Sequence, residues 1–252
     1  MKWLYEHTLG KLYQDNVWTH WQAYKDFFNI TVFRYLVTWF AIVPLIAKLL
    51  SRLPQEINFM RFGNNFYTIT LSLPFTWEWL WIASLLFIIA YGLYAWKCPK
   101  LVKKYSSLKD YKNDMHSPRW LTWLSRDIIN DKEQYPKFFE RMSTKNYFVL
   151  ETNVPAIDRF PTVIVQNEQT VLYFRDNRQL YSFGMPILTN GVEDKALTEI
   201  AEREVFWEVF GRFSSSKRNW RFVILTLLYL SGICFSIVLF EHIFSGFEYF
   251  FR

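Results

Sequence analysis

Four histidines and two cysteines are the first residues to test for chemistry in this 252-residue chain, because imidazoles and thiols ligate metals and serve as nucleophiles or bases. His7, His20, His116 and His242 are scattered along the chain, and Cys98 and Cys234 form no CxxC or other paired spacing. No HExxH occurs, so the pattern predicts neither a metal centre nor a disulfide framework. The eight glycines include no GxGxxG and no GxxxxGK[ST], which removes the common backbone cradles for nucleotide phosphates. No serine sits in a GxSxG elbow, and Ser214, Ser215 and Ser216 read as a polar linker. The acidic residues between Glu193 and Glu208 recur as one face of a helix. The expectation is a non-enzymatic protein without a cofactor.

The one concentration of reactive charge is basic. Lys97, Lys100, Lys103 and Lys104 follow one apolar run, and Lys217, Arg218 and Arg221, preceded by Arg212, lead into another. Each basic residue near an anionic surface gains ~1 kcal/mol, so this set is the candidate site for anionic lipid, with membrane lipids as the expected partner. Nucleic-acid phosphates would offer the same charge, but no recognition motif accompanies the lysines. The simpler reading is topological: these residues rest among headgroups and set the orientation of the chain. The net charge of +6 is mostly accounted for in this way.

The elements that must position this charge are the apolar runs themselves. A membrane helix needs ~20 largely apolar residues to cross ~30 Å of hydrocarbon. "FVILTLLYLSGICFSIVLF", residues 222 to 240, carries no charge. "WLWIASLLFIIAYGLYAW", residues 79 to 96, is also uncharged and is bracketed by tryptophans, within a helix expected over about 77–96. "FRYLVTWFAIVPLIAKLL", residues 33 to 50, has Arg34 and Lys48 near its ends, where long side chains can snorkel, and Pro44 predicts a kink. No ionisable residue lies at a span centre, which argues against a proton relay or a single-chain ion carrier. Several copies could still line a pore with Thr, Ser and Tyr.

Orientation follows from the basic flanks. Both clusters belong to the segment between the second and third spans, whereas the loop 51–76 carries only Arg52 and Arg61. The positive-inside rule places the central segment and the N-terminus in the cytoplasm and the C-terminus outside, in a bacterial inner membrane. No signal peptide is legible at the start of the chain.

Four regions are expected. Residues 1–30 repeat aromatics at helical spacing with nearly balanced charge, which predicts an amphipathic cytoplasmic helix. Residues 31–96 hold the first two spans, joined by an external hairpin around Gly63, Asn64 and Asn65. Residues 97–221 form a cytoplasmic α+β domain. Its helices start at "SPRWLTWLSRDII", with Ser117 as cap, and at "DKEQYPKFFERM". Its small antiparallel sheet comes from "NYFVLE", "TVIVQN", "TVLYFR" and "RQLYSF", with a turn at "RDNRQ". Its last helix, 193–213, is expected to bury Leu197, Ile200, Ala201, Val205, Val209 and Phe213 and to show Glu199, Glu202, Arg203 and Glu208 to water. Residues 222–252 hold the third span and a short external tail.

A membrane α-helical protein with a cytoplasmic α+β domain, and no catalytic signature, reads as a chain whose domain binds a partner or signal and acts on the spans. One form is a membrane-perturbing effector of the antiphage-defence or toxin type, with self-association or a protein partner. An accessory or scaffold subunit of a larger membrane complex is the alternative, and an enzyme acting on lipid headgroups a second one.

Overall fold

The computed structural model describes residues 19–30, 42, 46, 56–62, 65–70, 77–152 and 159–251, with the backbone alone over 56–62 and 65–70 and at 77, 249 and 250. The expected first span, 33–50 with its kink at Pro44, lies outside them apart from Ile42 and Ile46, both helical. Of the expected N-terminal helix, the described part is α1, Trp21–Asn29; the rest of 1–30 lies outside. The chain is mostly helical with a small antiparallel sheet, and the described residues divide into two units. One comprises the described parts of Met1–Thr19, Ala23–Cys98 and Arg218–Arg252; the other comprises His20–Gln22 and Pro99–Lys217.

In the first unit, strands β1 (Glu56–Phe62) and β2 (Asn65–Thr70) pair antiparallel, so the expected hairpin forms, although Gly63 and Asn64 at its tip lie outside the described residues. Two long helices follow, α2 (Trp77–Lys97) and α8 (Arg218–Phe251). At ~1.5 Å per residue they reach ~32 Å and ~51 Å. Both are long and apolar enough to cross a membrane, by length and composition.

They pack on each other through small residues. α2 buries Ala83, Ser84, Phe87, Ala90 and Tyr94, and α8 buries Arg221, Ile224, Ser231, Cys234 and Val238. The spacing of three and four places each set on one stripe, and the alanines and serine let the backbones approach. The Ser231 hydroxyl donates to the Ala83 carbonyl at 2.8 Å. Phe28 of α1 closes an aromatic cluster against Phe87, Tyr91 and Tyr94, with ring centroids 5.0–5.7 Å apart.

The second unit sets helices against one face of a four-stranded antiparallel sheet. Its elements are α3 (Lys100–Lys104), α4 (Leu108–Asn113), α5 (Arg119–Ile129), α6 (Tyr135–Thr144), β3 (Val149–Glu151), β4 (Thr162–Val165), β5 (Thr170–Asp176), β6 (Gln179–Met185), the short pair β7 (Leu188–Thr189) and β8 (Val192–Glu193), and α7 (Lys195–Ser215). Sheet order is β3-β6-β5-β4. All four strands coincide with segments rich in β-branched and aromatic residues. Asn177 and Arg178, both at positive φ, make the tight turn between β5 and β6.

Leu172, Phe174, Phe183 and Met185 from the sheet are fully buried with Leu121, Ile128, Phe138 and Met142 from α5 and α6. α5 opens one residue later than its Ser117 signal. The Ser117 hydroxyl still accepts from the Arg119 amide, at 3.4 Å. Arg119 then reaches the β4–β5 turn, donating to the carbonyls of Gln166 (3.1 Å) and Asn167 (2.5 Å).

α7 corrects two expectations. Its buried face does include Ala201, Val205 and Val209, but Leu197 and Ile200 are each 47% exposed, while Glu202 and Glu208 are buried. The reason is that α3, α4, α5 and α6 all pack on this helix. A helix covered over so wide an arc buries residues that a single-stripe reading assigns to water, and ion pairs make that tolerable. The serine run is no free linker either. Ser214 and Ser215 end α7, Ser216 caps it, and Ser214 and Ser216 are buried.

Candidate functional site

The basic residues fall into two settings. At one end of the α2–α8 pair, the Lys97 ammonium lies 3.5 Å from the ring centre of Trp96 and 4.5 Å from that of Trp220, so two indole faces hold one cation. Trp96 is 71% exposed, which leaves this aromatic pair at the surface of its unit. Lys97 also suits the negative C-terminal end of α2. Arg218 and Arg221 do the opposite: they stand in the first turn of α8, where the helix dipole disfavours cations and which holds no acidic residue of its own. Local helix electrostatics therefore do not explain why arginine occupies those positions. Arg221 is 3% exposed; its guanidinium donates to the Thr19 carbonyl at 2.6 Å, and its own carbonyl accepts from the Tyr24 hydroxyl at 3.0 Å.

In the second unit, Lys100 and Lys103 lie exposed on α3. Lys217 is exposed and left-handed, with φ of 53°, at the joint that follows Ser216. Lys104 belongs to a polar cluster that the sequence did not single out. Its ammonium contacts Asp114 Oδ2 at 2.5 Å; the same oxygen lies 2.7 Å from the Tyr105 hydroxyl, which lies 2.6 Å from His116 Nε2.

One phenolic proton serves two neighbours. The lysine keeps Asp114 ionised, so the carboxylate accepts the hydrogen bond that the phenol donates, and the phenol oxygen is left to accept one from an N–H at His116 Nε2. Hydrogen bonds from Lys104 and then Tyr105 hold the Asp114 carboxyl below its ordinary range, while the bond to Asp114 pushes Lys104 up to about 12. Burial foremost pushes the Tyr105 hydroxyl up. The imidazole is boxed by Tyr111 and Trp120, each 5.1 Å away between ring centres.

Chemically, this arrangement orients a chain of charge and protons and clasps the end of α3 to the end of α4. It brings no serine or cysteine nucleophile to the imidazole, and among the described residues no group of three His, Cys, Asp or Glu side chains could hold a metal ion. The signal that could have located the cluster is short: a Lys-Tyr pair nine residues before Asp-Met-His.

A second set of charges lines α7. Glu208 meets Arg141 at 3.2 Å and Lys145 at 3.7 Å, Glu204 meets Lys145 at 3.3 Å, and Glu202 meets Lys112 at 3.3 Å. The Tyr147 hydroxyl donates to Glu204 at 3.2 Å and is pushed up to about 12, by burial first and then by that carboxylate. These pairs hold helices together. No protein-family model, characterised protein or solved structure matches the chain.

Proposed function

We propose that this chain is a non-enzymatic integral membrane protein of the bacterial inner membrane in which the 99–217 unit receives a protein partner or signal and passes its state to the spans. Its N-terminus is cytoplasmic and its C-terminus external, and its physiological role is that of a membrane-perturbing effector of the defence or toxin type.

The observation that carries this reading is the exposure of α2 and α8. A core helix of a soluble protein is mostly buried, yet only 28% and 22% of the apolar windows in these two helices are. Leu85, Ile88 and Ile89 on α2, and Leu230, Ile233 and Leu239 on α8, are each more than 40% exposed. Apolar surface this continuous is costly in water and costs nothing against lipid. Lys97 between Trp96 and Trp220 supports the interfacial placement of that end. The direct joint of α7 to α8, two residues long, supports coupling, because a helix displaced by ligand would bear on the span that follows.

Production of the full chain alone in a bacterial host tests the effector role. The expected result is loss of membrane potential, read with a potential-sensitive dye, within the time of expression. A host that keeps its potential while the chain co-purifies with a stable set of membrane proteins contradicts it and supports the scaffold role.

A further inference from the structure

We infer that the C-terminal part of α8 is a self-association surface, on which a second copy of this chain packs in parallel. The inference rests on the membrane reading above and adds to it the identity of the partner.

The uncharged part of α8 ends at Phe240, and Glu241 is the first charged residue after it. From Phe222 to Phe240 the helix already covers the ~30 Å of hydrocarbon. The eleven residues from Glu241 to Phe251 add ~16 Å, more than the ~6 Å of headgroup layer on one side can cover. Lipid therefore accounts for the apolar surface up to Phe240 and for little beyond it.

Beyond it the helix remains strongly apolar on one face. Phe240, Phe244, Phe247 and Phe251 are 62%, 75%, 60% and 85% exposed. Their spacing of four, three and four is that of the core positions of a heptad repeat, and it continues Ile233 and Ile237 from within the span. The stripe lies roughly half a turn round the helix from Ile224, Ser231 and Val238, which pack on α2, so the two faces do not compete.

Two arguments select a second copy as the occupant. The first is area: at ~200 Å² per phenylalanine, Phe244, Phe247 and Phe251 offer about 440 Å² per chain beyond the span, and Phe240 at its edge brings a pair to about 1,100 Å², which clears the ~1,000 Å² of a specific interface. The second is charge. Copies inserted with the same topology must pack in parallel, and Glu241 and Glu248 then flank the seam opposite Ser236 and Ile243 of the other copy, so no like charges meet.

The test is cysteine cross-linking of the full chain in native membranes, with Phe244→Cys and Phe247→Cys on the stripe and His242→Cys on the far side of the helix. The unaltered chain, whose Cys98 and Cys234 are buried, supplies the blank. The expected result is a disulfide-linked pair at 244 and 247 at least ten-fold more abundant than at 242. A triple Phe244→Ser, Phe247→Ser, Phe251→Ser variant should fall from dimer to monomer mass in mild detergent.

Equal or absent cross-linking at 244 and 247, in chains that stay in the membrane through an alkaline wash, would overturn the inference and leave the membrane reading intact. So would cross-links to a protein of another mass, or a dimer unaffected by the triple substitution. Chains washed free would overturn both.

Discussion

Ser231 and Ala83 show how a few atoms decide the packing of α2 and α8. A hydroxyl surrounded by apolar side chains must find an acceptor, and the Ala83 carbonyl supplies one because alanine leaves room for the approach. Ser231→Ala should cost ~0.6–1 kcal/mol, and Ala83→Leu, which forces the helices apart, about 1–3 kcal/mol. Leu85→Ala, on the exposed side, should cost little. Denaturant titration in detergent, followed by tryptophan fluorescence, separates the three.

The Lys104–Asp114 pair has a definite pH signature. Asp114 is held below its ordinary value of 3.8, so its contribution is full above that value and is lost as the pH falls through the lowered one. Lys104 is raised from 10.5 to about 12, so its contribution is full below 10.5 and is lost as the pH rises through about 12. Asp114→Asn should lower the melting temperature at neutral pH. The difference from the unaltered chain should shrink as the carboxylate of the latter is protonated, and a gap that persists in strong acid contradicts the assignment.

At the scale of elements, α7 organises the second unit, and its buried carboxylates are part of that role. Glu208 is 10% exposed in its side chain and faces Arg141 and Lys145. Removing it takes a counter-charge from exposed Arg141 and from Arg212, whose side chain is 20% exposed, and leaves Lys145 to Glu204, so Glu208→Ala should destabilise the unit by about 2 kcal/mol. Glu199→Ala, at an exposed pair 3.5 Å from Lys112, should change stability by less than about 0.5 kcal/mol. Thermal unfolding of the two variants in the full chain gives the comparison.

α7 also marks where the sequence stops being legible. The strands β4, β5 and β6 and the turn at Asn177 and Arg178 could be read locally, because β-branched runs and turn residues act within a few positions. α2 and α8 could be read because eighteen or nineteen uncharged, mostly apolar residues in a row are rare. Glu202, Glu208 and the exposed Leu197 and Ile200 could not, since their burial depends on how many other helices cover α7. The Tyr105–Asp114–His116 cluster escaped for the same reason: its geometry needs α4 and its flanking turns to bring the ends of a twelve-residue segment together. Charge and spacing nominated the seven basic candidates, but could not tell that Arg221 donates to the Thr19 carbonyl and that Lys104 pairs with Asp114.

At the scale of the whole molecule, the account depends on the outer surfaces of α2 and α8 meeting lipid. The effector role and the pairing of C-terminal helices both follow only if they do. Sodium carbonate extraction at high pH of membranes from cells producing the full chain, followed by ultracentrifugation, tests this most directly. With α2 and α8 in the bilayer, the chain stays in the pellet and is released only by detergent. A chain recovered in the supernatant and monodisperse without detergent would contradict it.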